Sequence, residues 1–231
     1  MKRFYKLAAP AAVDGGWTVQ LDGKAIKTPS KAAFLAPNLA LAEAAAAEWN
    51  AQTDQVDPRA MPVTRAINSA IDRTAPEFDA VVEMVAEYGG SDLICYRAEA
   101  PRALVERQSA AWDPLIQWAN ERYGVRLVAT TGVMHVDQPA EGQTRLAAAV
   151  AAFDPMELTA LYDLTALSGS LVIGLAVADG RLGVAEGWAA GRVDAAFQEE
   201  QWGVDEEAAK VAAIKAAEFK DAAQFLTLAR A

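Results

Sequence analysis

Between Asp194 and Glu207 (DAAFQEEQWGVDEE) six carboxylates surround Trp202, with no Lys or Arg among them. Paired carboxylates can do acid–base work on glycosidic bonds, one giving a proton while the other acts as base or nucleophile. Runs of this kind are more often solvated faces, and without a nearby base they do little chemistry alone. An amphipathic ring inside a charged rim suits a different task, protein docking, in which an aromatic anchor is framed by charge. Glu199, Glu200, Trp202, Asp205, Glu206 and Glu207 are therefore the candidate partner-binding residues. The alternative is a carboxylate-dependent small-molecule enzyme, with Asp72, Asp92 or Glu199 acting in a cleft between two domains. Asp72-Arg73 and Asp92…Arg97 would then orient the substrate, unless they serve as caps and ion pairs within the fold.

Other chemistries find little support. His135 is the single histidine, so a His-based triad or a multi-His metal site is excluded within one chain. Cys95 is the single cysteine and lies among apolar neighbours in SDLICYR, the setting of a buried, inert thiol. The Gly-Lys-Ser/Thr ending of a phosphate loop is missing, and Gly169 and Gly174 follow no convincing strand of a dinucleotide fold. No catalytic residue, metal site or cofactor is assigned.

The bulk properties restrict the partner. Of 231 residues 53% are apolar and 23% charged, enough for a sizeable core, and the net charge is −10. That balance argues against nucleic acid and against a polybasic membrane anchor. Charge is uneven: Met1 to Lys31 holds six Lys/Arg and two Asp, which points weakly to oriented docking on a protein. One cysteine, no signal-like start and a longest apolar run (Leu164 to Ala178) short of a bilayer span together read as a soluble, cytoplasmic protein without membrane insertion.

The elements that must carry these residues read as α+β. A small β-rich domain with one helix is expected over residues 1–60, and a larger, mainly α-helical domain over 61–231. Trp17, Val19 and Leu21 alternate with polar residues, Asp22-Gly23 makes a tight turn, and Ala25, Ile26 and Thr28 return. Phe4-Tyr5 and Phe34-Leu35 are expected as flanking strands. Pro37-Asn38 opens an alanine-rich helix to about Thr53, with Trp49 packing on the sheet. Asp57-Pro58 and Met61-Pro62 mark the linker. Beyond it, helical spacing runs through Phe78, Val81, Val82, Val85 and Tyr88, and through Leu104, Gln108, Ala111 and Leu115. Trp112 and Trp118 fall in the core stripes. Asp113-Pro114 and Asp154-Pro155 read as helix starts, the second with Glu157 as a capping box. Val125 to Val133 is β-prone. Ser168 to Gly174 places small residues one turn apart on a helix, a face for close packing. The chain ends in a helix from Asp205 to Arg230 whose apolar marks are Val211, Ile214, Phe225 and Leu226.

Several segments, in order, resemble the family of chaperones that assemble the catalytic head of ATP synthase by acting on its alpha subunit, the mitochondrial assembly factor 2 family. They are RFYK (3–6), VQLDGKAIKTP (19–29), AEWNAQ (47–52), MPVTRAINSAID (61–72), SDLICYRA (91–98), WDPLIQW (112–118) and QEEQWGVDEEA (198–208). The resemblance implies a non-enzymatic protein of two domains, and since a chaperone that must be displaced needs no self-pairing, a monomer is expected. It would hold the new alpha subunit transiently, shield the face meant for the beta subunit, and be displaced at handover. A start directly at the family's first strand, without a mitochondrial presequence, fits a bacterial member.

Overall fold

The computed structural model describes residues 2–231 and divides into two compact units. Unit 1 is built from Met1–Phe78, Asp154–Ala160 and Gln224–Ala231; unit 2 from Asp79–Phe153 and Leu161–Ala223. The architecture is α+β, with an antiparallel sheet near the N-terminus followed by a long helical region.

In unit 1, β1 (Ala8–Val13), β2 (Gly16–Leu21) and β3 (Lys24–Ala25) form an antiparallel sheet in that order. The register runs from Ala8 opposite Leu21 to Val13 opposite Gly16. Asp22 and Gly23 supply the positive φ values of the second turn, 48° and 83°. The return strand is shorter than expected: after Ala25 one more bond forms, Ile26 N–H to the Val19 carbonyl (3.0 Å). Phe4-Tyr5 and Phe34-Leu35 are not strands. Around the second pair the chain makes isolated bridges, Trp17 to Ala36 and Lys27 to Ala33. The first strand is instead AAPAAV, a segment of small residues with a proline. It lies at the sheet edge, where the missing N–H of Pro10 is tolerated.

Helix α1 (Leu39–Ala51) begins where Asn38 accepts from Leu41 N–H (2.9 Å). Leu41, Ala42, Ala45 and Ala46 are buried, and the helix packs on β1 and β2, whose Val19 and Leu21 are buried too. Trp49 near its end stacks edge-on with Tyr5 at 5.6 Å. Glu48 on α1 then caps α2 (Pro62–Ser69), accepting from Val63 N–H (2.7 Å), Thr64 N–H (2.8 Å) and the Thr64 hydroxyl (2.7 Å). A π turn over Ala70–Thr74 continues α2. The later segments of unit 1 are tied in by side chains. Thr74 and Thr159 share a hydroxyl bond (2.8 Å), Asn38 donates to the Leu228 carbonyl (2.8 Å), and Arg230 pairs with Glu157 (2.6 Å).

Unit 2 is helical apart from a two-residue parallel pair, β4 (Tyr96–Arg97) with β5 (Thr130–Thr131), inside the stretch read as β-prone. Its helices begin with α3 (Phe78–Glu87), α4 (Arg102–Tyr123) and α5 (Ala140–Ala151). They continue through α7 (Leu171–Ala178), α8 (Val184–Ala190) and α9 (Val193–Trp202), while α6 (Pro155–Ser168) and α10 (Glu206–Ala229) each have part of their length in unit 1. The Asp154 capping box forms, Glu157 N–H to Asp154 at 2.9 Å and Asp154 N–H to Glu157 at 3.2 Å. Asp113-Pro114 starts no helix: Pro114 lies inside α4. It removes one backbone donor there, but Trp112 and Leu115 on either side are buried and hold the helix through the break. Trp112 also donates to the Ala190 carbonyl (2.8 Å), whereas Trp118 is half-buried and leans edge-on against Tyr123 at 5.5 Å.

Ser168 to Gly174 is not one helix either. Gly169, at φ +75°, ends α6, and Ser170 caps α7 by accepting from Ile173 N–H (3.0 Å). The close approach does hold: a Cβ on Gly174 would stand 2.7 Å from the Thr165 hydroxyl.

Candidate functional site

Helix α9 carries the first half of the acidic segment, and its charges are spent in two ways. Glu199 pairs with Arg192 (2.6 Å), whose guanidinium also lies over the Trp188 ring. Glu200 receives a two-pronged bond from Arg107 of α4, at 2.8 and 2.6 Å. Arg107 lies over Phe197 and holds the Glu200 carboxyl below the usual carboxylate range. Asp194 accepts from Gln108 (2.6 Å). The segment has no base of its own, yet α4 and the residue before α9 supply two. These carboxylates therefore fasten α9 within unit 2.

Beyond Glu200 the picture changes. Trp202, the last residue of α9, is 78% exposed. Gly203 turns the chain with φ +88°, Val204 is 64% exposed, and Asp205 caps α10 by accepting from Ala208 N–H (2.8 Å). Glu206 and Glu207 stand exposed in the first turn, where carboxylates complement the helix dipole. Val211 and Ile214, read from sequence as apolar marks of an amphipathic helix, are 48% and 61% exposed. Three residues apart, they share a helix face, and Glu207 one turn before Val211 rims it. The signal was present as apolar residues at helical spacing, but spacing alone does not say whether a face is covered by the chain itself.

The carboxylates of the enzyme reading are all engaged inside their own units. Asp72 accepts from the Thr28 hydroxyl (2.6 Å) and Ser30 N–H (3.0 Å), and the Thr28 bond keeps its carboxyl below the usual range. Asp92 is fully buried, accepting from Ile94 N–H (3.2 Å) and, at the start of α7, Val172 N–H (3.0 Å). Burial raises its carboxyl to about 6 against those bonds. Arg97 pairs with Asp113 (2.8 Å) and lies over Trp112. Cys95 is buried, and desolvation pushes its thiol up to about 12. His135 meets the Tyr96 hydroxyl (3.2 Å) and Asp137 (3.1 Å). Among the described residues no group of three His, Cys, Asp or Glu could hold a metal ion, and no helix is long and apolar enough to cross a membrane.

The structure is α+β, with an exposed aromatic beside a half-exposed helix. The comparisons agree in kind. The model of the ATP12 chaperone protein family matches residues 2–120, more than half of the chain. The crystal structure of Atp12 from Paracoccus denitrificans is 46% identical, with a TM-score of 0.96 over 99% of this chain and 98% of that one. An aspartate-to-lysine mutant of that protein superposes equally well. A protein from Agrobacterium tumefaciens is 43% identical, with a TM-score of 0.94 over 98% of this chain and 85% of the other. Mitochondrial protein atp12 of Schizosaccharomyces pombe is 23% identical over 91% of this chain and 76% of its own length. The chain belongs to the ATP12 chaperone family.

Proposed function

We propose that this protein assists assembly of the ATP synthase catalytic head, binding the unassembled alpha subunit and shielding its beta-facing surface until handover. Family membership supports the chaperone class. The observation that supports the finer reading is the run of exposed apolar side chains Trp202, Val204, Val211 and Ile214 along one stretch of chain that also exposes Glu206 and Glu207. A subunit awaiting its neighbour shows an apolar patch that invites aggregation. A cover for it must bind and later leave, which favours an aromatic anchor with a charged rim over a wholly dry interface. Glu199 and Glu200 contribute by fixing α9, and so the position of Trp202. The protein acts as a cytoplasmic monomer without cofactor, and the beta subunit displaces it.

The test is a pull-down from native cytosol with tagged protein under mild salt. Recovery of alpha subunit without beta is the expected result. Recovery of no ATP synthase component overturns the reading.

A further inference from the structure

Unit 1 holds a groove of about 650 Å³ that the proposed docking surface does not use. Its size is that of a ligand site. One wall is the loop Lys27 to Ser30, the other a face of α2 and the π turn, and Trp49, Val56 and Met61 give it an apolar lining. In a chain of net charge −10, the groove is cationic: Lys27, Arg65 and Arg73 line it against one carboxylate, Asp72. Asp72 is already engaged by Thr28 and Ser30. Lys27 and Arg65 form no ion pair among the described residues, and all three cationic residues are exposed. Two further lining groups are unmatched: the indole N–H of Trp49 has no acceptor, and the side-chain oxygen of Asn68 has no donor.

The spacing selects the ligand. Arg65 and Arg73 are eight residues apart along a helical path, about 12 Å at 1.5 Å per residue. A ligand that carries carboxylates at both ends of that span engages each guanidinium without drawing the two side chains together. An extended chain advances about 3.3 Å per residue, so acidic side chains about four residues apart match that separation. Intervening apolar side chains suit the apolar lining of Trp49, Val56 and Met61.

We propose that this groove is a second binding site, taking an extended acidic peptide segment with apolar residues between its carboxylates. The proposal goes beyond the chaperone reading and does not depend on it. Binding is measured by fluorescence anisotropy at low salt. The probes are a labelled decapeptide alternating Glu with Leu, its Lys-for-Glu counterpart, and unlabelled glutarate as a competing small dicarboxylate. The comparison variant is Arg65→Glu with Arg73→Glu, two exposed side chains, with a thermal melt recorded to verify that it folds. The acidic peptide should bind the wild type, weaken as salt rises, and lose about tenfold or more on the variant, while the Lys peptide stays free. Equal binding of both peptides overturns the proposal, as does undiminished binding to the folded variant. Displacement by glutarate at concentrations matching the peptide would make this a small-anion site and overturn it too. None of these outcomes bears on capture of the alpha subunit, which the pull-down reads separately.

Discussion

The two halves of α10 carry similar apolar residues and treat them oppositely. In the second half Phe219, Phe225 and Leu226 are buried, while in the first Val211 and Ile214 face out. Helix propensity does not separate the halves, since alanine runs through both. What differs is whether the chain folds something over them. A buried half measures what the protein needs for itself; an open half with the same kind of side chain is the part proposed here to meet another molecule.

The strongest way to test that contrast is to empty the buried half. Phe219→Ala should cost about 3–5 kcal/mol in urea unfolding, whereas Ile214→Ser should stay within about 0.5 kcal/mol. A comparable loss at Ile214 would mean the first half is packed in the free protein, and the contrast would collapse. Asp92 extends the comparison to carboxylates. Its folded value of about 6 lies above the ordinary 3.8, so the folded state holds the proton more tightly. The resulting stability is present in full below about pH 4 and lost as pH rises through 6, about 3 kcal/mol in all. Asp92→Asn should flatten that profile in melts run across the range. An unchanged slope would assign the pH dependence elsewhere.

At the open surface, Trp202→Ala with Glu206→Lys and Glu207→Lys should leave the melt in place and weaken alpha-subunit capture by about 2 kcal/mol or more. Unchanged capture by the folded variant would remove this region from the interface. The smallest effect is expected at Cys95. Its buried, high-pKa thiol should resist iodoacetamide in the native protein and react once denatured, followed by mass spectrometry. Rapid native labelling would show that this part of unit 2 opens readily.

Much of the fold is legible in the residues themselves, because its signals are local. Asn38, Asp154 with Glu157, and Asp22-Gly23 each announce a helix start or turn through one side chain or one φ value. The misreadings share a cause. Pro114 and the Ala8–Val13 strand go against local preference and are held by what packs around them, Trp112 and Leu115 in one case and β2 in the other. Gly169 and Ser170 carried the opposite lesson: a stop beside a start looked like one continuous small-residue face. The exposure of Trp202 was legible from its charged neighbours. The partner of Glu200 was not, since Arg107 lies 93 residues away in sequence.

Unit 1 is written at both ends of the chain and once in the middle. The Asn38 side chain that starts α1 also donates to the carbonyls of Leu228 and Ala229. During synthesis these acceptors follow Asn38 by 190 residues, so unit 1 is begun before unit 2 and closed only after it. Until residues 224–231 are made it remains an unclosed sheet and helix, and long-range closure of this kind is slow for a chain that folds as it is made. Unit 1 thus waits through the synthesis of unit 2 with the start of α1 uncovered.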